Sequence, residues 1–240
     1  MKNALTIGIV GGTSPESTVS YYRHIIRKHE AEFHDHGYPR IVICSVSFQQ
    51  YIDWQHSGKW DLVARGLEQE MQALAAAGAD FALLAANTMH KVLPVMKCPL
   101  PVLSILDAVG TYARKKGARC VGLTGTKFTM SGGFYVEGLE QRGMAVVLPE
   151  ASEQDAIHRI IFEELITGTV VPKSVETFYG ILGNISKRGA DAIILGCTEL
   201  DLLTSGREGP VELIDSAQIH AEAAWSVAIS GDRTHPLLMR

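Results

Sequence analysis

Gly189-Ala190-Asp191-Ala192-Ile193-Ile194-Leu195-Gly196-Cys197-Thr198-Glu199 is a second copy of Gly78-Ala79-Asp80-Phe81-Ala82-Leu83-Leu84-Ala85-Ala86-Asn87-Thr88. Ala86 and Cys197 each lie six residues after the Asp of their Gly-Ala-Asp triplets, so position 86 is the mate of Cys197. Two further pairs keep nearly the same offset. Thr6-Ile7-Gly8-Ile9-Val10-Gly11-Gly12-Thr13 matches Cys120-Val121-Gly122-Leu123-Thr124-Gly125-Thr126, and the segment Val102 to Ala108 matches Val211 to Ala217. Three matched segments in the same order predict a duplicated domain with a site shared between the halves.

Around these segments, short aliphatic runs alternate with longer amphipathic stretches, the pattern of parallel strands joined by crossover helices. Strands are expected at Leu5–Val10, Ile41–Val46, Phe81–Ala85, Val102–Ser104, Cys120–Leu123, Ala145–Leu148, Ala192–Leu195 and Val211–Ile214. Helices are expected at Glu16–Glu32, Trp60–Ala77, Asn87–Met96, Ile105–Lys116, Met130–Arg142, Ser152–Thr167, Pro172–Lys187 and Ser216–Ala228. Each half therefore reads as a Rossmann-like, three-layer α/β/α domain on a parallel four-stranded sheet. Ligands of such sheets collect beyond the carboxyl ends of the strands. The loops there contain Gly11-Gly12-Thr13-Ser14-Pro15, Ala86-Asn87-Thr88, Gly125-Thr126-Lys127 and Gly196-Cys197-Thr198, and they are expected to converge on one cleft between the halves.

Composition sets limits on the partner. The chain has 240 residues, 46% of them apolar, which is enough for a substantial core. A net charge of −4 without basic clusters points away from nucleic acid and from an anionic membrane surface, and toward a small ligand. No apolar run reaches the length of a membrane span, and Met1-Lys2-Asn3-Ala4 leads straight into an apolar strand, so a cytoplasmic protein is expected. Cys44, Cys98, Cys120 and Cys197 lack paired metal spacing, and His34-Asp35-His36 reads as a solvated loop; no metal is expected.

The loops carry the chemistry. Gly11-Gly12 lacks the dinucleotide spacing and its acidic partner, whereas the hydroxyls of Thr13, Ser14, Ser17 and Thr18 at a helix start suit a carboxylate or phosphate. Thr198-Glu199 reads as the cap and first turn of a helix, which would lower the pKa of the Cys197 thiol from about 8.5 and favour a thiolate. His90 reads chiefly as a residue bonded to backbone, with replacement of a missing base as its sharper alternative. Trp54 and Trp60 suggest a flap or a dimer surface.

Gly11 to Thr18, Asn87-Thr88-Met89-His90-Lys91, Gly125 to Met130, Ile161-Phe162-Glu163-Glu164-Leu165 and Gly196-Cys197-Thr198-Glu199 together resemble the cofactor-independent aspartate/glutamate racemase family, and in particular its broad-specificity amino-acid racemase branch. The resemblance covers nearly the whole chain. It implies two pseudo-symmetric half-domains, 1–106 plus 216–240 and 107–215, with the C-terminal helix returning to the first. It also implies a homodimer, an amino acid as substrate and no cofactor, pyridoxal phosphate included. The family's mechanism uses one thiolate to take the α-proton and a second thiol to reprotonate the opposite face. By resemblance Cys197 is one of these groups. Asn87, Thr88, Thr126 and Thr198 fall where the family grips the α-carboxylate, and Thr13 and Ser14 where its first loop closes.

Ala86 stands at the other thiol position, and a methyl group carries no proton. Some members of the similar branch carry threonine there, so the resemblance implies a first group that varies within the family. Three readings are compatible with Ala86: a one-thiol enzyme in which water or a hydroxyl serves the second face, an inactivated site that holds substrate, or different chemistry. The last includes a single-thiol decarboxylase or isomerase of the same superfamily; a non-catalytic amino-acid-binding protein is a further class. Aspartate-selective members carry a lysine in the segment matching Ile161 to Leu165. Here Glu163 and Glu164 stand there, with Glu164 either repelling acidic side chains or simply solvated, and Lys127 is the nearest alternative cation.

Overall fold

A computed structural model describes residues 4–239. In chain order the elements are β1 (Ile7–Gly11), α1 (Pro15–Phe33), β2 (Ile41–Ser45), α2 (Phe48–His56), α3 (Trp60–Ala76), β3 (Phe81–Leu84), β4 (Val102–Leu103), α4 (Ile105–Lys115), β5 (Cys120–Thr124), α5 (Lys127–Met130), α6 (Phe134–Glu140), β6 (Ala145–Val147), α7 (Ala151–Glu163), α8 (Pro172–Lys187), β7 (Ala192–Leu195), α9 (Asp201–Thr204), β8 (Glu212–Asp215), α10 (Ser216–Ser230) and β9 (Leu238–Met239). They form two compact units. One runs to Ala108 and resumes at Ala217; the other is Val109–Ser216. Among the described residues no helix is long and apolar enough to cross a membrane.

In the first unit the strand order is β2-β1-β3-β4-β9, and the first four strands are parallel. Period-two alternation sends neighbouring residues of one strand to opposite faces. Ile7, Ile9, Phe81, Leu83 and Ala85 join Tyr21 and Ile25 of α1 and Ala217, Ala221, Ala224, Trp225 and Ala228 of α10. Val10, Ala82 and Leu84 join Tyr51 of α2 and Val63, Leu67, Met71 and Leu74 of α3. The second unit repeats the plan as β6-β5-β7-β8, all parallel. Ile193 and Leu195 pack there with Ile157, Ile160 and Ile161 of α7 and Phe178, Leu182 and Ile185 of α8. Burying each such aliphatic side chain stabilises the fold by roughly 1.5–3 kcal/mol relative to leaving it exposed.

The repeat is also visible in the backbone. Asp80 N–H donates to Thr6 O (2.9 Å) while the Asp80 carboxylate accepts from Thr6 N–H (2.7 Å). Asp191 N–H donates to Cys120 O (2.9 Å), and its carboxylate accepts from Arg119 N–H (2.9 Å) and Cys120 N–H (3.3 Å). Each aspartate thus holds the start of the central strand of its own unit. Gly8 and Gly122 are matched as well. A Cβ at Gly122 would lie 2.4 Å from Ile185 Cγ2, and one at Gly8 3.0 Å from Ala79 Cβ and 3.2 Å from Leu74 Cδ1. The bare backbone lets α8 lie close to its sheet.

A buried polar clasp ties α10 to the rest of the first unit. His220 Nε2 lies 2.9 Å from Leu103 O, so it carries the hydrogen, and Nδ1 accepts from the Tyr21 hydroxyl (2.8 Å). His90 has the opposite tautomer. Its Nε2 accepts from Ile105 N–H (3.1 Å) and its Nδ1 donates to Ala86 O (3.0 Å). The two rings meet edge to face at 5.6 Å. Burial depresses the pKa of His90 to about 4, and burial followed by the neighbouring His90 depresses that of His220 to about 3.

The structure departs from the sequence expectations in several places. The expected helix over Asn87–Met96 is two 3-10 turns, Thr88–Lys91 and Leu93–Val95, because Pro94 cannot continue an α-helix and His90 pins the first turn. Met130–Arg142 breaks at Gly132-Gly133 into α5 and α6. Ser152–Thr167 ends at Glu163 and continues as a 3-10 turn, Leu165–Thr167. Helix α2 was not expected: within it only Tyr51 and Gln55 are buried, too weak an apolar stripe to read. The first sheet is not purely parallel and four-stranded, since β9 adds an antiparallel fifth strand through Val102–Met239 and Leu103–Leu238 pairing.

Two predictions follow from these contacts. Unfolded histidine has a pKa near 6.5, so between pH 6.5 and about 4 the unfolded chain binds protons that folded His90 and His220 refuse. Their contribution is complete above pH 6.5 and is lost as pH falls through that window, by about 3 kcal/mol per unit at the steepest. Urea unfolding from pH 7 to 4.5 should show this slope, and the imidazole nitrogen resonances of both residues should stay neutral down to pH 5. Gly122→Ala should cost about 1–3 kcal/mol by overpacking. Gly180→Ala, where a Cβ meets nothing within 4 Å inside α8, should instead gain about 0.5–1 kcal/mol in the same assay.

Candidate active site

In the first unit two loops leave the carboxyl ends of adjacent strands. After β1, Gly12 N–H donates to Thr18 Oγ1 (2.8 Å), and that hydroxyl donates to Ser14 O (3.2 Å). Thr18 therefore serves to shape the loop. Ser14 is the N-cap of α1, Pro15 follows it at the first helical position, and the Thr13–Ser14 peptide is cis. Thr13 and Ser14 are half-buried and Ser17 is buried. After β3, Ala85 N–H donates to Val10 O (2.9 Å), fixing the exit of this strand beside that of β1. Ala86 is half-buried against the α3-facing core and its carbonyl is taken by His90. Asn87 is buried and Thr88 is half-buried.

The second unit builds the matching pair. Gly196 N–H donates to Thr124 O (2.8 Å), the counterpart of the Ala85–Val10 bond, so Cys197 occupies the position that Ala86 holds in the first unit. Thr126 caps α5 and its hydroxyl lies 3.4 Å from that of Thr129. Cys197 leads into a 3-10 turn, Thr198–Leu200. Its Sγ donates to Glu199 Oε2 (3.0 Å), and Thr198 Oγ1 donates to the same oxygen (2.8 Å). Each unit thus gathers its own set: Thr13, Ser14, Asn87 and Thr88 in the first, and Thr126, Cys197 and Thr198 in the second.

The thiol environment corrects the expectation from sequence. Burial, and after it the Glu199 carboxylate, push the Cys197 thiol well above its ordinary pKa. A 3-10 turn of three residues supplies little dipole, and the acidic residue two positions on opposes the thiolate directly. Glu199 is the charged neighbour of the thiol whose effect motif reading passed over. Its signal lay in the repeat, where its mate is the uncharged Thr88.

Other expected candidates have structural partners. His90 is a neutral clasp rather than a base. Lys127 pairs with Asp155, and its N–H donates to His158 Nδ1 (3.3 Å). Glu164 is no solvated helix position: it is half-buried where α7 ends, with Oε1 accepting from Ser174 Oγ (2.8 Å) and Oε2 buried without a hydrogen-bond partner. His34 caps α1, Asp35 binds His29 (2.7 Å), and His36 meets Tyr38 (3.3 Å). Lys91 Nζ lies 4.0 Å over the Trp60 ring, and Trp54 packs on Tyr51. Among the described residues no group of three or more His, Cys, Asp or Glu side chains is arranged to hold a metal ion.

A model of the Asp/Glu/Hydantoin racemase family matches residues 10–224, reaching across both units. The chain is 24% identical over 229 residues to the broad specificity amino-acid racemase RacX of Bacillus subtilis (strain 168), covering 93% of this chain and 98% of that protein. It is similar to the crystal structure of an aspartate racemase homologue from Pyrococcus horikoshii OT3, with 38% identity, a TM-score of 0.83, and coverage of 93% of this chain and 99% of that one. A candidate Asp/Glu racemase from Yersinia pestis matches at 35% identity with a TM-score of 0.88, covering 94% and 99%. The family match spans both strand-end loop sets and the repeat that relates them, and on that ground the chain belongs to the Asp/Glu/Hydantoin racemase family.

Proposed function

We propose that the protein is an amino-acid racemase that moves the α-proton of its substrate through the Cys197 thiol without a cofactor, with Ala86 at the position of the second acid/base. The observation that carries this reading is the paired geometry of the strand ends. Ala85 N–H to Val10 O and Gly196 N–H to Thr124 O are equivalent bonds, so positions 86 and 197 leave their sheets in the same way. Only position 197 holds a group that carries a proton. Asn87, Thr88, Thr126 and Thr198 are the hydrogen-bonding residues for the α-carboxylate, and Thr13 and Ser14 close the first loop. Fixed donors at a carboxylate favour the enolate-like charge that develops when the α-proton leaves. The four free thiols fit a cytoplasmic setting, and a homodimer is in keeping with the family.

A second reading has its own support. A thiol kept protonated beside a carboxylate is suited to delivering a proton to a carbanion, which is what a single-thiol decarboxylase requires. The substrate separates the two reactions.

Inversion is measured by chiral chromatography on acidic, neutral and basic amino acids of both hands. Ala86→Cys should raise inversion about 100-fold or more, and Cys197→Ala should lower whatever activity is present by about 10²–10⁴-fold, the usual worth of a positioned acid/base. Absence of inversion in both the parent and Ala86→Cys, with carbon dioxide released from malonate-type acids in a Cys197-dependent way, would replace the racemase by the decarboxylase. Amino acids bound but unchanged in every variant would leave a binding protein.

A further inference from the structure

Strand β2 is a sheet edge that none of the usual devices protects. Among the described residues it pairs with β1 alone. The other three sheet edges are blunted: β9 has two residues, β6 has three, and β8 carries Glu212 and Asp215. By contrast Ile41-Val42-Ile43-Cys44-Ser45 runs for five residues with neither charge nor proline, and Ile43 is 40% exposed.

The free groups of this edge have a definite register. Ile7 N–H donates to Arg40 O (2.9 Å) and Val46 N–H donates to Gly11 O (3.0 Å), so the even-numbered residues of β2 turn to β1. In a parallel ladder the residues between them turn their N–H and C=O groups the other way. Ile41, Ile43 and Ser45 therefore offer their backbone donors and acceptors to the outside.

Helix α1 flanks the same edge with an apolar stripe. Tyr38, on the approach to β2, donates from its hydroxyl to Glu30 Oε1 of α1 (2.8 Å). Ile26, Tyr22 and Val19 continue the Glu30 face of that helix at spacings of four and three residues. Val19 is 41% and Tyr22 47% exposed. A Cβ at Gly11 would strike the Thr18 side chain at 2.5 Å, and Gly11 is paired with Ser45, so Thr18 is level with Ser45. Ile43 lies about 6.6 Å further down the strand, and four helical residues at about 1.5 Å each span that distance. Tyr22 is therefore level with Ile43.

We propose that β2 is the self-association surface of this chain, on which two copies join edge to edge and antiparallel about a twofold axis at Ile43. Ile43 then exchanges both backbone bonds with the partner's Ile43, and Ile41 and Ser45 do the same with the partner's Ser45 and the partner's Ile41. Every outward group of the strand is used. A second copy suits this edge better than a foreign peptide, because the same axis runs α1 against its copy in the opposite direction. Val19 meets the partner's Ile26, and the acidic Glu16 meets the partner's Arg27. The edge is thus complementary to itself in hydrogen bonds, apolar contact and charge.

The test uses the full chain. Sedimentation at micromolar concentration should give twice the chain mass of 26.1 kDa. Ile43→Lys and Tyr22→Lys, both at exposed positions, should each weaken the dimer about 100-fold or more with an unchanged circular dichroism spectrum. Hydrogen exchange read residue by residue should show the amides of Ile41, Ile43 and Ser45 protected in the dimer and fast in Ile43→Lys, while those of Val42 and Cys44 stay slow in both. Register has its own check. Val42 falls opposite the partner's Cys44 in a pair without hydrogen bonds, where Cα atoms lie about 4.5 Å apart, close enough for a disulfide. Val42→Cys should form covalent dimers under mild oxidation, adding Cys44→Ala should abolish them, and the parent should form none. A monomer with fast amides at Ile41, Ile43 and Ser45 overturns the proposal. So does a dimer that survives both lysine substitutions and is not trapped by Val42→Cys. Either result leaves the racemase reading to the inversion assay.

Discussion

Parallel pairing of two central strands in each unit is the constraint on which the remaining features depend. Because β1 pairs with β3 and β5 with β7 in the same register, the backbone bonds at Val10 and Thr124 fix where each chain leaves its sheet. The strand order 2-1-3-4 in both units places its reversal between these strands, the point at which open α/β sheets present loops to a ligand. Thr13, Asn87, Thr126 and Cys197 owe their positions to that pairing. Asp80 and Asp191 hold the other ends of the same strands.

The units differ in how their loops are secured. In the first, the Ala86 carbonyl is bound by a neutral histidine whose other nitrogen takes the N–H at the start of α4, and a second neutral histidine joins α1, β4 and α10. Both rings give up their charge to make these bonds, which confines full stability to neutral and alkaline pH. In the second unit the Ser216 hydroxyl binds Leu195 O (2.7 Å) one residue before Gly196, and the loop beyond is organised around a carboxylate. One scaffold therefore presents an uncharged end in one copy and a charged end in the other.

Most of the strands and the long helices were legible, because the apolar runs Ile7–Val10 and Ile193–Leu195 and the stripes of α3 and α8 are dictated by burial. The elements that escaped were those settled by tertiary contact. Two-residue β9 is a strand only because β4 offers an edge, α2 buries just Tyr51 and Gln55, and His90 with Pro94 overrides a helical pattern over Asn87–Met96. At the candidate site the residue types and their spacing could be read, but the sign of the thiol shift could not. Local reading weighed the helix start, whereas enclosure and the carboxylate two residues on prevail.

The hydrogen bond from Cys197 to Glu199 also bears on chemical durability. Oxidants and electrophiles attack the thiolate, and a thiol held protonated by its neighbour offers them little of it. At rest the residue is therefore resistant to peroxide, disulfide exchange and alkylating metabolites.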